Sequence, residues 1–279
     1  MKKPAQKILT TSILLAAFHV QASAAMIAYW RFEDGPNGGA ITSAADSTGN
    51  AANTLTPLAI RTTPTAVDPT YVTNTEFPNP VPETGDANNF AATGFSQGGS
   101  VLQNTSFDFF KDNRDPWTLE FFGMSNEPNV NTQKRFVTLG IGGYPVMEIK
   151  LAPATGRITW AGISGSQFDF SLTGGASSTP FHFALVHDTD NDLLNVYFNG
   201  ALAASSSTIA NPRVASNAGI IVGGFAEADL VNGWIDELRI SDTILAPSQF
   251  LNAIPEPGVV SLLGIAGCAI FFAGRRKRS

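Results

Sequence analysis

The chain has 279 residues and a single cysteine, Cys268. No disulfide within the chain can brace it and no pair of thiolates can bind a metal, so stability must come from the core or from a bound ion. Basic charge is equally scarce where it would matter. Of 17 Lys and Arg, three stand in the first seven residues and four in the last five, whereas all 23 Asp and Glu lie between Glu33 and Glu256. The intervening chain is therefore net −13, without the basic footprint that nucleic-acid phosphates demand. Such a surface suits an extracellular setting and attracts divalent cations. Long amphipathic helical patterns are missing. So are a G-x-S-x-G elbow, an H-E-x-x-H pair and the alternating carboxylates of a glycosidase strand.

What is present begins with the two ends. Lys2, Lys3 and Lys7 precede an apolar run over residues 8–18, and Ala22-Ser23-Ala24 follows as a small-x-small cleavage pattern. This is the layout of a secretory signal over residues 1–24, read by signal peptidase. At the other end, Pro255-Glu256-Pro257 is followed by an uncharged run over 258–274 and then by Arg275, Arg276, Lys277 and Arg278. As a helix that run reaches roughly 25 Å, enough for a thin membrane. The basic cluster would hold its far end in the cytoplasm and leave the domain outside.

Residues 253–279 resemble the PEP-CTERM sorting signal of Gram-negative bacteria, because motif, helix and basic cluster occur in that order. The resemblance implies processing near Pro-Glu-Pro by an exosortase, a transient inner-membrane anchor, and a mature protein secreted or held at the cell surface or outer envelope. Proteins with such tails accompany exopolysaccharide and biofilm formation.

Between the ends, residues 25–252 read as one all-β domain. In 26–33 (MIAYWRFE), Ile27, Tyr29 and Arg31 alternate with Ala28, Trp30 and Phe32. Residues 51–90 are rich in Pro, Thr and Asn and read as long loops with a few short strands. Strands are expected over 99–103, 106–110, 116–124, 134–140, 144–151, 156–163, 167–173, 180–187, 193–198, 201–204, 218–223 and 232–240. Asn199-Gly200 is a hairpin signal, and residues 246–253 read as a short terminal helix. Regular short strands with this punctuation indicate a two-sheet antiparallel sandwich.

The string AYWRFEDG, the turn Asp46-Ser47-Thr48-Gly49-Asn50, PFHFALVHD, Tyr197-Phe198-Asn199-Gly200 and the closing GWIDELRIS of 233–241 together resemble the laminin-G-like, concanavalin A-like jelly roll. Pro180 stands where that family commonly has Trp. In similar jelly rolls the Asp corresponding to Asp236 can help hold a structural calcium against the first strand; in this sequence Glu33, Asp34 and the backbone carbonyls of the following Gly-rich turn are the oxygens expected to complete its shell. Strand alternation places Asp236 with Trp234 and Leu238, and Ile235 with Glu237 and Arg239. A salt bridge of Asp236 with Arg31 or Arg239 is the competing reading. The series Asp188, Asp190 and Asp192 imitates an EF-hand start but lacks its Gly and its final Glu, and reads as a turn. His182 and His187, five apart on one strand, face opposite ways and cannot share an ion. Trp117, Trp160 and Trp234 could stack on sugars if exposed, although most sandwich aromatics are core.

These features point to a noncatalytic surface or matrix protein whose jelly roll binds an extracellular polysaccharide or a surface protein. A purely structural matrix component and a polysaccharide-active enzyme are the alternatives.

Overall fold

A computed structural model describes residues 25–62, 64–108, 115–140, 146–161, 167–175, 177–207 and 219–253. The expected signal peptide and sorting tail lie outside them. In chain order the strands are β1 (Met26–Trp30), β2 (Thr56–Ala59), β3 (Thr70–Thr73), β4 (Phe90–Thr93), β5 (Ser100–Asn104), β6 (Trp117–Ser125), β7 (Lys134–Leu139), β8 (Val146–Leu151), β9 (Thr155–Ala161), β10 (Gln167–Ser171), β11 (Pro180–Asp188), β12 (Leu193–Phe198), β13 (Ala201–Ser206), β14 (Ile220–Val222) and β15 (Gly233–Ser241). Among the described residues, helix is confined to the single turn α1 (Phe95–Gly98) and three 3-10 turns. No helix among the described residues is long and apolar enough to cross a membrane.

The strands form two antiparallel sheets. One runs β13-β12-β11-β6-β15-β4-β3, with β1 also paired to β15; the other runs β10-β9-β8-β7-β14-β5-β2. First and last strands lie side by side, Trp30 opposite Leu238 and Tyr29 opposite Arg239. This is the jelly-roll sandwich expected from the sequence. Alternation does the sorting: Ala28, Trp30 and Phe32 enter the core between the sheets with Phe121, Phe136 and Phe183, while Tyr29 faces the other way. Asn199 and Gly200 both take positive φ, as a two-residue hairpin turn requires.

The central strands of the eight-stranded sheet are buried on both faces. All nine residues of β6 are buried. The second cover comes from segments outside the expected strands. Phe77 and Val81, from the Pro-rich stretch, pack with Leu251 onto Tyr29, Phe122 and Met124. Leu245 and Phe250 pack onto Ala184 and Val186. A sheet covered on both sides carries apolar residues on both faces of its strands, which is why WTLEFFGM shows no clean alternation.

The closing strand departs from the expected alternation. Asp236 pairs with Phe122 and Arg239 with Glu120, so two residues of β15 stand opposite Phe121 alone. This is a β-bulge, with Glu237 at φ +49. The extra residue shifts the phase. Ile235, Leu238 and Ile240 share the core face, and the side chains of Glu237 and Arg239 reach groups on the outer face, Tyr29 and Glu120. Gly233 opens the strand because a Cβ there would lie 1.8 Å from the Met124 carbonyl oxygen.

Two smaller readings also change. Phe107 and Asp108 are not in a strand, and residues 109–110 lie outside the described set. Residues 246–253 form only the 3-10 turn Pro247–Gln249; Pro247 there and the loss of regular bonding beyond it leave no helix. The Pro, Thr and Asn stretch holds the short strands β2 and β3 among its loops, as expected. Asp188 caps its own turn, accepting from the backbone and side-chain nitrogens of Asn191.

Candidate functional site

Three groups of polar side chains stand out against this frame. The first ties the sheet to its cover. Glu120, at the centre of β6, is fully buried. Its Oε1 accepts from Arg239 Nε at 2.9 Å and Nη2 at 2.6 Å, and its Oε2 accepts from the Leu251 amide at 2.8 Å. His182 Nε2 lies 2.8 Å from the same Oε2. Arg239 goes on to Glu83 and to the Gln249 carbonyl. Burial alone would raise the Glu120 carboxyl, but His182, Arg239 and the Leu251 amide bring it net below its ordinary value. An ionised carboxylate only accepts, so His182 Nε2 donates to it. The His182 Nδ1 is buried without a partner.

The second group contains the residues expected to hold calcium. Glu33 accepts from the amides of Asn89 and Phe90 and from the Asn89 side chain. Asp34 is exposed and accepts from the Ala45 amide. Asp236 is fully buried; its Oδ1 accepts from the Glu237 amide and its Oδ2 has no partner. Asp236 pairs with neither Arg31 nor Arg239. Arg31 instead grips Glu237, whose other oxygen accepts from the Tyr29 hydroxyl. No three His, Cys, Asp or Glu side chains among the described residues converge as a metal-holding group. Burial and the charge of Glu237 push the Asp236 carboxyl well above its ordinary value. Asn88, whose side chain lies beside Asp236, also holds a buried oxygen without a partner. One proton on Asp236 Oδ2 would satisfy both orphaned oxygens.

The third group lies on the outer face of the seven-stranded sheet and was not singled out by the sequence. Met147, Ile149 and Ile158 point into the core, so Glu148 and Thr159 point outward. Register then lines up one row across β7, β8, β9 and β10: Thr138 opposite Glu148, Glu148 opposite Thr159, Thr159 opposite Gln167. Thr138 is completely buried and Glu148 is only 8% exposed. The Thr138 and Thr159 hydroxyls and Arg135 Nε have no partner. Glu148 is held by Arg135 at 3.1 Å and Lys150 at 2.8 Å. Arg135 also meets Asp229 and lies under the exposed ring of Phe225.

Residues 95–249, more than half of the chain, match the sequence profile of the concanavalin A-like lectin/glucanases superfamily, in its laminin-G form. The chain belongs to this superfamily. Solved structures extend the likeness beyond the matched segment. Domain 4 of the extracellular arabinanase AbnA from Geobacillus stearothermophilus, solved with arabinotriose, superimposes with a TM-score of 0.53 at 19% identity, covering 82% of this chain and 97% of that domain. The binding domain of botulinum neurotoxin serotype G gives 0.54 at 12% identity, covering 82% of this chain and 50% of that one. That of botulinum neurotoxin DC, solved with rat synaptotagmin II, gives 0.54 at 12% identity, over 81% and 50%. The chain thus spans half the length of the neurotoxin binding domains. At these identities the likeness is one of fold. No curated protein sequence matches the chain.

Within this lectin-like sandwich the sequence candidates separate. Trp117 is buried and packs against His187. Trp234 is half-buried against Phe77. The side chain of Trp160 lies outside the described set. His182 and His187 do face opposite sides, toward Phe250 and Trp117 respectively. On β8 the next outward residue after Glu148 is Lys150, and the residues opposite Glu148 are threonines.

Proposed function

We propose that this chain is an exported, noncatalytic lectin-like protein that binds a polysaccharide on the outer face of its seven-stranded sheet. The observation that carries this reading is the row Thr138–Glu148–Thr159, with two buried hydroxyls and the nearby Arg135 Nε left without partners. Each such group costs about 1–3 kcal/mol when nothing pairs with it. Sugar hydroxyls both donate and accept, and could pair with all three atoms. Binding rather than hydrolysis is favoured because the two carboxylates beside the row, Glu148 and Asp229, are both tied up in ion pairs with Arg135, whereas a glycosidase needs one of its two carboxyls free to donate a proton. The arabinotriose in the AbnA domain supports a carbohydrate over other ligands.

The test is affinity electrophoresis through gels holding arabinan, xylan, mixed-linkage glucan or the producing cell's own exopolysaccharide. One polysaccharide is expected to retard the protein. Thr138→Val is expected to weaken that retardation severalfold while raising the melting temperature, because it removes an unpaired buried hydroxyl. No retardation in any gel would leave a purely structural role. Retardation untouched by Thr138→Val and Thr159→Val would move the site elsewhere.

The reading includes the address. Signal peptidase cleaves after Ala24, and an exosortase-type enzyme processes the chain at Pro255-Glu256-Pro257 into an envelope or matrix protein. Replacing Arg275, Arg276, Lys277 and Arg278 by neutral residues is expected to leave an unprocessed, membrane-retained form. Unchanged C-terminal mass and unchanged cell fractions would overturn that part.

A further inference from the structure

Beside the Thr138–Glu148–Thr159 row, the next outward row on the same face carries charge. Arg135 stands opposite Lys150, Lys150 opposite Arg157, and Arg157 opposite Asp169. With Glu148 and Asp229, the two rows hold three cations and three carboxylates. Each of those cations is paired: Arg135 with Glu148 and Asp229, Lys150 with Glu148, and Arg157 with Asp169. This patch is neutral in sum, in a chain whose acids outnumber its bases.

Phe225 stands over the start of the charged row. It is 43% exposed, and the Arg135 guanidinium carbon lies 5.0 Å from its ring centroid. The turn that carries Phe225 is clamped to its surroundings. Asp229 meets Arg135 at 2.8 Å, the Ala228 carbonyl accepts from Lys134 Nζ at 2.9 Å, and Glu227 accepts from Arg61 Nε at 2.9 Å. An exposed ring held this firmly is a preorganised contact surface, which loses little freedom when a ligand covers it.

Charge then decides what the ring can take. A polyanion needs cations to spare, and those of the two rows already have carboxylate partners. The net negative chain repels it further. A cation gains little from a ring that already faces a guanidinium, because the two like charges repel. What fits is an uncharged ligand with C–H surface for Phe225 and hydroxyls for Thr138, Thr159 and Arg135 Nε.

We propose that Phe225 is the stacking platform of this site and that the polysaccharide it selects is neutral, free of uronate, sulfate and amino groups. The inference rests on reading the Thr138–Glu148–Thr159 row as a glycan site, and it names the class of glycan. Arg135 touches both Phe225 and Glu148, so platform and row are contiguous.

The experiment measures the Kd of the purified full-length protein for immobilised polysaccharides of three kinds. Arabinan, galactomannan and mixed-linkage glucan are neutral, polygalacturonate and alginate are polyanions, and chitosan is a polycation. Each is tested at about 20 and about 500 mM salt, between which the screening length falls severalfold. At least one neutral polysaccharide is expected to bind, with a Kd that salt leaves unchanged within about twofold. The charged ones are expected to bind at least about tenfold more weakly at the higher salt. Phe225→Ala is expected to weaken the neutral polysaccharide about tenfold or more, the scale of an aromatic anchor. Phe225→Trp is expected to keep the affinity, and both variants the melting temperature, because the ring is exposed. A polyanion or chitosan bound as tightly as the neutral chains would overturn the charge class. Wild-type affinity in Phe225→Ala, with Thr138→Val still weakened, would overturn the platform and leave the row as the site. No binding to any of them would remove the glycan reading of the row and this inference with it.

Discussion

Glu120→Ala is expected to destabilise the domain by about 3–5 kcal/mol, the cost of breaking a buried charge network by removing one member. Four N–H groups converge on this carboxylate: two from Arg239, the Leu251 amide and His182 Nε2. Its removal leaves Arg239, only 6% exposed, with Glu83 as its remaining acid. It also frees the 247–251 segment, which the Leu251 and Gln249 contacts hold. An exposed ion pair would be worth no more than about 1 kcal/mol, so the size of the loss reports burial. The pH dependence follows from the sign of the shift. The Glu120 carboxyl titrates below its ordinary value in the folded chain. Its stabilisation is therefore complete above the unfolded value of about 4.3 and is lost as pH falls through the folded value. Urea unfolding at pH 7 and pH 4 measures both effects. A loss below about 1 kcal/mol at pH 7 would mean that the network does not hold the cover. The gap between wild type and variant should narrow toward acid pH.

Much of the architecture was legible because it rests on local rules. Alternation in MIAYWRF put Trp30 and Tyr29 on opposite faces, and Asn199-Gly200 marked a turn that only residues tolerant of positive φ make well. What failed depended on other parts of the chain. Alternation through Trp234–Arg239 assumed an unbroken ladder, and the bulge against Phe121 reversed it. Nothing local in Ile-Asp-Glu-Leu announces that bulge. The Glu120–His182–Arg239 network joins Glu120 to residues 62 and 119 positions away, so no spacing reveals it. A signal was nonetheless present, since Glu120 is the one charge inside the apolar run WTLEFFGM. A lone charge within a strand buried on both faces must be paired. The Thr138–Glu148–Thr159 row is invisible without register, because each residue taken alone is an ordinary outward polar position. Residues 74–89 read as loop for a sound reason, low periodicity. Their role as a cover depends on Phe77 and Val81 finding Phe122 across the sheet.

Asp236→Asn is expected to raise the melting temperature at pH 7 to 8, the opposite of what loss of a metal ligand would do. Asp236 and Glu237 are adjacent acids lifted by burial. Arg31 and Tyr29 hold Glu237 down, while no cation touches Asp236. The proton therefore belongs to Asp236, whose carboxyl titrates well above its ordinary value. A raised folded value means that the stabilisation is full below about pH 3.9 and is lost as pH rises through the folded value. At neutral pH the wild type thus carries either the cost of binding a proton or that of a buried charge. Asparagine removes the titration. Its Oδ1 keeps the Glu237 amide, and its Nδ2 can donate to the orphaned Asn88 oxygen. Satisfying that buried pair is worth about 1–3 kcal/mol, roughly 2–4 °C per kcal/mol in a domain of this size. The advantage should shrink as pH falls below about 3.9, where wild-type Asp236 becomes protonated in both states. Thermal melts in calcium and in chelator decide between this account and the calcium expected from the sequence. A cation bound by Glu33, Asp34 and Asp236 would stabilise the wild type by mass action. It would make Asp236→Asn the less stable protein in calcium and erase the difference in chelator. A variant that melts higher in both conditions assigns Asp236 a proton rather than a metal.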